Sequence, residues 1–435
     1  MMVEMNTRIE NFLRANGLDE RARDSGRLLD GFAAEMDAGL AGASSSLPMI
    51  PAYLSVDRPV PAGHPVIVLD AGGTNLRVGV VQFDAAGTPH ISQFSRHRMP
   101  GAAGPISADA FFNTLADLLM PVIGAAEAIG FCFSYRAEIT PDGDGRLLRW
   151  SKQIQAPEVE GRMVGAEVAQ RLEARGHRRR ITVLNDTVAA LLAGKSAGMA
   201  RRYSTYAGYI LGTGTNTAYV VPHGAIGKLK GLDPRGQMIV NIESGGFGLA
   251  PRSRFDEQFD ATTLDPGAYA FEKMISGGYL GGLGLTALKA AAREGLLSAA
   301  AGAALLGWRS LENKDLDDFC DNPFLPAGPF AALPLTEDDR RAIQALGGAL
   351  YRRAAWLAAV NLAAVILAGG GGRDPLYPVC VNVDGSTFYR TRSVAFRSRL
   401  EAHLRAILEP RGIAYELVGV DDAPVIGAAV AGLTR

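Results

Sequence analysis

Val66-Ile-Val-Leu-Asp-Ala-Gly-Gly-Thr-Asn-Leu-Arg-Val-Gly-Val-Val-Gln-Phe83 sets two apolar runs, 66–69 and 76–83, on either side of Asp70-Ala-Gly-Gly-Thr-Asn75. The spacing predicts two strands joined as a hairpin by a glycine turn. The arrangement returns later, where Ala207 to Leu211 and Thr217 to Val221 flank Gly212-Thr-Gly-Thr-Asn216, and both turns contain Gly-Thr-Asn. Backbone N–H groups at such a bend converge on one concave point, and phosphate oxygens are the ligands that match them. Gly72, Gly73, Thr74 and Asn75 in the first turn, with Gly212, Thr213, Gly214 and Thr215 in the second, are therefore candidate phosphate contacts. Asp70 stands where a carboxylate could orient a hydrated Mg²⁺. A single glycine turn reads equally as an ordinary hairpin, and it is the matched pair that favours two phosphate clamps.

Working outward, 435 residues exceed the size at which one core stops growing, so two lobes with a cleft between them are expected. Apolar residues make up 48% and charged residues 20%, which excludes a disordered chain. Lys plus Arg number 44 against 45 Asp plus Glu, so no net field draws the chain to nucleic acid or an anionic membrane, and a small-molecule ligand is expected. The basic run Arg175-Gly-His-Arg-Arg-Arg180 reads as the solvated end of a helix. Cys132, Cys320 and Cys380 are too far apart for a disulfide framework or a thiolate metal site, which points to core packing in a reducing compartment, hence a cytoplasmic location. Charges at Glu4, Arg8, Glu10 and Arg14 do not suit a signal peptide. The apolar run from Trp356 to Gly372 is interrupted by Asn361, so no membrane span is expected.

Ile9, Phe12 and Leu13, then Leu28, Leu29, Phe32 and Met36, recur at helical spacing. From Ser45 to Pro65, five prolines mark a connector between lobes. Short strands at 129–134 and 181–186 alternate with a helix at 164–174, giving an α/β lobe. Residues 283–319 and 338–367 have helical, Ala- and Leu-rich patterns, so the second lobe is richer in helix. A strand at 379–383 and a small-residue helix at 426–433 complete the chain.

Four further segments carry chemistry. Asn185-Asp186 closes a strand with a carboxylate that could take a proton from a hydroxyl nucleophile, or could cap the helix that follows. Lys152, after Trp150 and Ser151, offers positive charge to a transferring phosphoryl group, or is an ordinary surface lysine. Glu243 and Glu272, beside glycine-rich or turn-forming segments, suit vicinal sugar hydroxyls or are solvated charges. No Gly-x-x-x-x-Gly-Lys-Ser/Thr segment is present, which excludes a P-loop enzyme.

Taken together and in order, these segments resemble the hexokinase family, within the actin-like superfamily of sugar kinases and ATPases. Leu69 to Arg77 is similar to the family's first phosphate segment and Leu211 to Asn216 to its second. Phe133-Ser134 with Leu147-Leu-Arg-Trp-Ser-Lys152 resembles its sugar segment, and Val383-Asp-Gly-Ser-Thr-Phe-Tyr389 its nucleotide segment. The resemblance implies a two-lobed α/β actin-like ATPase (ribonuclease H-like) fold. Residues 1–61 would form N-terminal helices and a connector packing on the large domain, 62–187 the small domain together with a C-terminal helix at 419–435, and 188–418 the helix-rich large domain. It implies Ser134, Ser151, Lys152, Asn185, Asp186, Asn216, Glu243 and Glu272 as sugar ligands, with Asp186 as general base and Lys152 and Arg77 offsetting charge. Gly385 and Ser386 would join the two turns in holding ATP, with Mg²⁺ held through water by Asp70.

The implied activity is transfer of the γ-phosphoryl of ATP to the 6-hydroxyl of glucose or a related hexose, as in glycolysis, by a monomer or homodimer. The alternatives are an N-acetylhexosamine or other sugar kinase of the superfamily, and a non-catalytic sugar sensor. Two departures stand out. Ser134-Tyr-Arg136 replaces a common Ser-Phe-Pro, which alters the loop over the sugar. Ser244-Gly245 replaces a bulky aromatic before glycine, which implies a looser pocket floor.

Overall fold

The computed structural model describes the chain except residues 1, 74, 151–153 and 198–200, and gives no side-chain account of 2, 3 and 197. Both predicted hairpins form. In the first, Pro65–Gly72 pairs antiparallel with Asn75–Phe83, and Gly72 faces Asn75 across the turn. Gly73 sits there at φ +58°, a conformation glycine adopts without steric cost. In the second, Thr205–Leu211 pairs antiparallel with Thr215–Pro222.

Each hairpin belongs to its own sheet. The smaller sheet has five strands in the order Pro89–Arg98, Asn75–Phe83, Pro65–Gly72, Ala128–Phe133 and Arg180–Leu184, the last three mutually parallel. The larger sheet has six, in the order Ile50–Pro51, Gln237–Asn241, Thr215–Pro222, Thr205–Leu211, Val379–Asp384 and Tyr415–Val418. The proline-rich connector thus contributes a two-residue edge strand, with Ile50 opposite Asn241. A two-stranded sheet, Arg136–Ile139 with Gly145–Arg149, flanks the small lobe.

Helices follow from the apolar periodicity. Val164–Ala174, Gly277–Arg293, Ala299–Leu306, Asn313–Asp321 and Glu337–Ala368 lie where the sequence predicts helix. The last begins with a Thr336–Asp339 capping box and passes through Asn361 without a break. By length and composition alone, that helix and Ala108–Ala125 could cross a membrane, but Glu337–Ala368 is mostly buried inside the protein. Asn361 is fully buried there, its amide nitrogen donating to Ser244 Oγ at 3.4 Å. The 175–180 run is taken up locally: Arg175 pairs with Asp117, Arg179 donates to Ile123 O, and Arg180 to Gly432 O. The three cysteines are free and buried.

The helices Met2–Ala15 and Ser25–Ala41 bury their apolar faces in the core of the larger sheet. Phe32 stacks on Phe247 with ring centres 3.6 Å apart and meets Phe271 edge-on at 5.4 Å. Phe247 follows the Glu243 loop and Phe271 precedes Glu272, so one aromatic side chain braces both segments from behind. Replacing Phe32 with Ala is expected to cost about 3–5 kcal/mol of stability, because a large void opens in a close-packed core. Chemical denaturation followed by circular dichroism measures this, and a loss under about 1 kcal/mol would contradict it.

Candidate functional site

The site forms where the two hairpins, the Asp186 helix and the 384–386 segment meet. Asp70 lies at the end of the first hairpin's inner strand and is 1% exposed. Its Oδ2 accepts from Arg77 Nε at 2.5 Å across the register pair Asp70–Arg77. Arg77 Nη1 also donates to Asp422 at 3.0 Å, so Arg77 ties the hairpin to the residue capping the helix Ala423–Thr434. Burial pushes the Asp70 carboxyl up, opposed by the Arg77 guanidinium and raised further by the charge of Asp186. Arg77, expected to face the phosphoryl group, is therefore held between two carboxylates.

Asp186 begins the helix Asp186–Ala197 directly after the strand Arg180–Leu184, half-buried. Asn185 does the capping, its Oδ1 accepting from Thr187 N at 2.9 Å, while Asp186 Oδ1 accepts from the Thr187 hydroxyl at 3.4 Å. The charge of Asp186 reaches Asp70 on one hairpin, Glu243 on the larger lobe and Asp384 beside the 385–386 segment. Burial is the leading reason that all three carry raised carboxyl pKa values, and Asp186 adds to each.

Around the second turn, Asn216 Nδ2 donates to Asn241 Oδ1 at 2.7 Å and to Glu243 Oε1 at 3.3 Å, while Asn241 Nδ2 donates to Glu243 Oε1 at 2.8 Å. Glu243 itself sits at φ +60°, a left-handed backbone conformation that a non-glycine residue keeps only when its surroundings fix it. Glu272 Oε2 accepts from Thr215 N at 2.8 Å and packs against Gly214, where an added Cβ would lie 2.6 Å from that oxygen. Thr215 Oγ1 donates to Ile210 O, so both donors of Thr215, expected at ATP, are turned inward. Thr213 is the exposed side chain of that turn.

The 384–386 segment lies on the second turn. Gly385, at φ +120°, approaches so closely that a Cβ would meet Leu211 O at 2.4 Å and Gly212 N at 2.6 Å. Thr387 Oγ1 and Gly277 N both donate to Gly212 O at 2.8 Å, and Gly278 N to Thr213 O at 3.0 Å. Ser386 is exposed beside them. Ser134, on the smaller lobe, stands against Gly72, and Tyr135 donates its hydroxyl to Gly73 O at 2.6 Å.

The structure thus gathers Asp70, Arg77, Gly72, Gly73, Ser134, Asn185, Asp186, Asn216, Glu243, Glu272, the Gly212–Gly214 turn, Gly385 and Ser386 around one cleft. Asn75 lies at the mouth of the first turn and is exposed. Thr74, Ser151 and Lys152 lie outside the described residues. The looser floor expected at Ser244-Gly245 is not found. Ser244 is fully buried, and a Cβ on Gly245 would stand 2.9 Å from Thr215 O. Sequence reasoning passed over Asn241, which links Asn216 to Glu243, and Tyr135, Thr387 and Gly277, which fix the turns. Asn241 had a visible signal in Asn241-Ile-Glu243, whereas the other three act through contacts distant in sequence.

Two family models, each described as hexokinase, match residues 15–196 and 206–434. Among curated relatives, hexokinase-2 of Oryza sativa subsp. japonica is 36% identical over 296 residues, covering 61% of this chain and 57% of that protein. Hexokinase-9 of the same plant is 34% identical over 278 residues, covering 59% and 54%. The chain spans little more than half the length of these relatives. Among solved structures, a hexokinase from Schistosoma mansoni complexed with glucose shares the fold with a TM-score of 0.81 and 24% identity, covering 99% of this chain and 100% of that one. A second hexokinase crystal structure gives a TM-score of 0.79, also at 24% identity, covering 98% of each chain. With one family's models lying end to end over both lobes, and that family's fold on both sides of the cleft, the chain belongs to the hexokinase family.

Proposed function

We propose that the protein transfers the γ-phosphoryl group of ATP to the 6-hydroxyl of glucose or a related hexose, with Asp186 as general base. The observation that carries this reading is the position of Asp186, within electrostatic reach of Asp70, Glu243 and Asp384 at once. Phosphoryl transfer passes through a loose transition state, so a protein accelerates it mainly by positioning and charge balance. Asp186 takes the proton of the sugar hydroxyl as that oxygen attacks phosphorus. Glu243, Glu272, Asn185 and Asn216 orient the sugar, and the two glycine turns present backbone N–H groups to the phosphates. Lys152 adds positive charge to the phosphoryl oxygens, and Ser134 and Ser151 complete the sugar's ligands.

The residues fit Mg²⁺ held through water rather than in a protein cage. Among the described residues, no three His, Cys, Asp or Glu side chains converge to hold an ion directly. Asp70 Oδ1 is buried there with no hydrogen-bond partner among the described residues, and Asp70, Asp186 and Asp384 crowd negative charge that a divalent cation would relieve. When bound, the ion would neutralise charge on the phosphates. Three free, buried cysteines accord with a cytoplasmic setting.

An ADP-release assay against glucose, mannose, fructose, glucosamine and N-acetylated amino sugars tests the reaction directly. Sugar-dependent ADP release with at least one hexose is expected, and none with any of them would refute the reading. Replacing Asp186 with Ala is expected to lower kcat by about 10²–10⁴-fold while the glucose Kd changes little, because a base acts in the transition state. Near-normal turnover would remove Asp186 from the role. Water competes with the sugar hydroxyl, so sugar binding is expected to close the lobes. Solution scattering at saturating glucose should then give a smaller radius of gyration, and an unchanged radius with every hexose that binds would count against closure.

A further inference from the structure

Asp422 stands at the head of the helix Ala423–Thr434 and has no role in the reading above. Its side chain makes no capping hydrogen bond there. Its carbonyl does the anchoring, accepting from Val425 N at 2.9 Å and Ile426 N at 3.0 Å. The backbone is left-handed, φ +51° and ψ +34°, a conformation that Asp and Asn adopt more readily than other side chains. Behind it the helix is locked, since a Cβ on Gly427 would lie 1.9 Å from Ala189 O. The carboxylate is thus presented from a rigid base, and what it meets is Arg77 Nη1 at 3.0 Å. At its other end Arg77 reaches Asp70 by one bond, Nε to Oδ2 at 2.5 Å, and Asp70 Oδ1 is buried with no hydrogen-bond partner among the described residues. Arginine beside a carboxylate frequently closes on both oxygens with two parallel N–H bonds. Here the pull of Asp422 on Nη1 accompanies a one-point contact, and the second oxygen of Asp70 stays open.

We propose that Asp422 is a positioning residue for the nucleotide's cation: by holding Arg77 Nη1 it keeps the guanidinium from closing on Asp70, and so reserves Asp70 Oδ1 for the water shell of Mg²⁺. The inference rests on the reading of Asp70 as the carboxylate that orients hydrated Mg²⁺. Without Asp422 the guanidinium turns onto both oxygens of Asp70, and a charge-assisted hydrogen bond has to be broken before the ion's water is received. The cost falls on the ion and not on the sugar, whose proposed ligands Asn185, Asn216, Glu243 and Glu272 lie on other segments. It also requires the planar fork of arginine, because lysine is a point charge that cannot close on a carboxylate in that way.

The test compares wild type, Asp422→Gly, Arg77→Lys and the double variant. Glycine takes the left-handed backbone without strain, and no side-chain cap is lost with it. Calorimetry follows ADP binding at saturating glucose as Mg²⁺ is raised, and glucose Kd is measured separately without nucleotide. In Asp422→Gly the Mg²⁺ concentration that gives half the full gain in ADP affinity is expected to rise at least about fivefold, while glucose Kd stays within about twofold. In the Arg77→Lys background the same substitution should shift that concentration by less than about twofold. Asp422→Asn keeps the shape and the left-handed backbone but holds Nη1 more weakly, and should shift the requirement in the same direction. An unchanged Mg²⁺ requirement in Asp422→Gly and Asp422→Asn overturns the inference, as does a matching loss of glucose affinity in both. So does an equal shift in the two Arg77 backgrounds, which would mark the simple loss of a negative charge. Each of these leaves the kinase reading intact. ADP binding by the wild type that Mg²⁺ does not strengthen overturns the role of Asp70 as well.

Discussion

Two helices, Asp186–Ala197 and Ala423–Thr434, cross between the sheets at van der Waals contact, and the cleft depends on that crossing. A Cβ on Gly427 would lie 1.9 Å from Ala189 O, and one on Gly208 in the larger sheet 2.3 Å from Thr187 O. No side chain fits at either point, so the backbones themselves set the spacing. Each helix begins in the cleft with an aspartate. Asp186 opens one, and Asp422, at φ +51°, caps the other and grips Arg77. Both N-termini add their partial positive charge to a place where phosphate is expected.

From this crossing the remaining geometry follows. The first hairpin is tied to it through Arg77, and its turn is tied to the sugar side through Tyr135 and Gly73. The second turn is tied to the 384–386 segment by the close approach of Gly385 and the Thr387 hydroxyl. Glu243 and Glu272 are braced from behind by Phe247, Phe271 and Phe32, so the N-terminal helices, far from the cleft in sequence, set the stiffness of its sugar-facing wall.

Electrostatics binds these parts into one site. Asp70, Asp186, Asp384 and Glu243 come from four separate segments, and burial disfavours charge on Asp70, Asp384 and Glu243. Such a cluster is costly to keep, and it suits a place where something positive is held or a proton is moved. Arg77 answers part of that need within the chain, and a phosphate-bound cation and a sugar hydroxyl answer the remainder in the proposed reaction.

The sequence alone determined the local pieces. Hairpins were legible because short apolar runs on either side of a glycine turn read as paired strands, and the helices because their apolar residues repeat at helical spacing. The matched Gly-Thr-Asn turns, Asn185-Asp186 and Glu243 were legible as candidates, since each lies in a contiguous stretch with its own chemical signature. Tertiary structure decided what those pieces face. That Arg77 is shared by Asp70 and Asp422, that Thr215 gives its N–H to Glu272, and that Asn361 reaches Ser244 all rest on contacts between segments widely separated in the chain. Periodicity reports which face of an element is buried but carries no information about which other element covers it, and so the partners of a charged side chain emerge only when the lobes are packed.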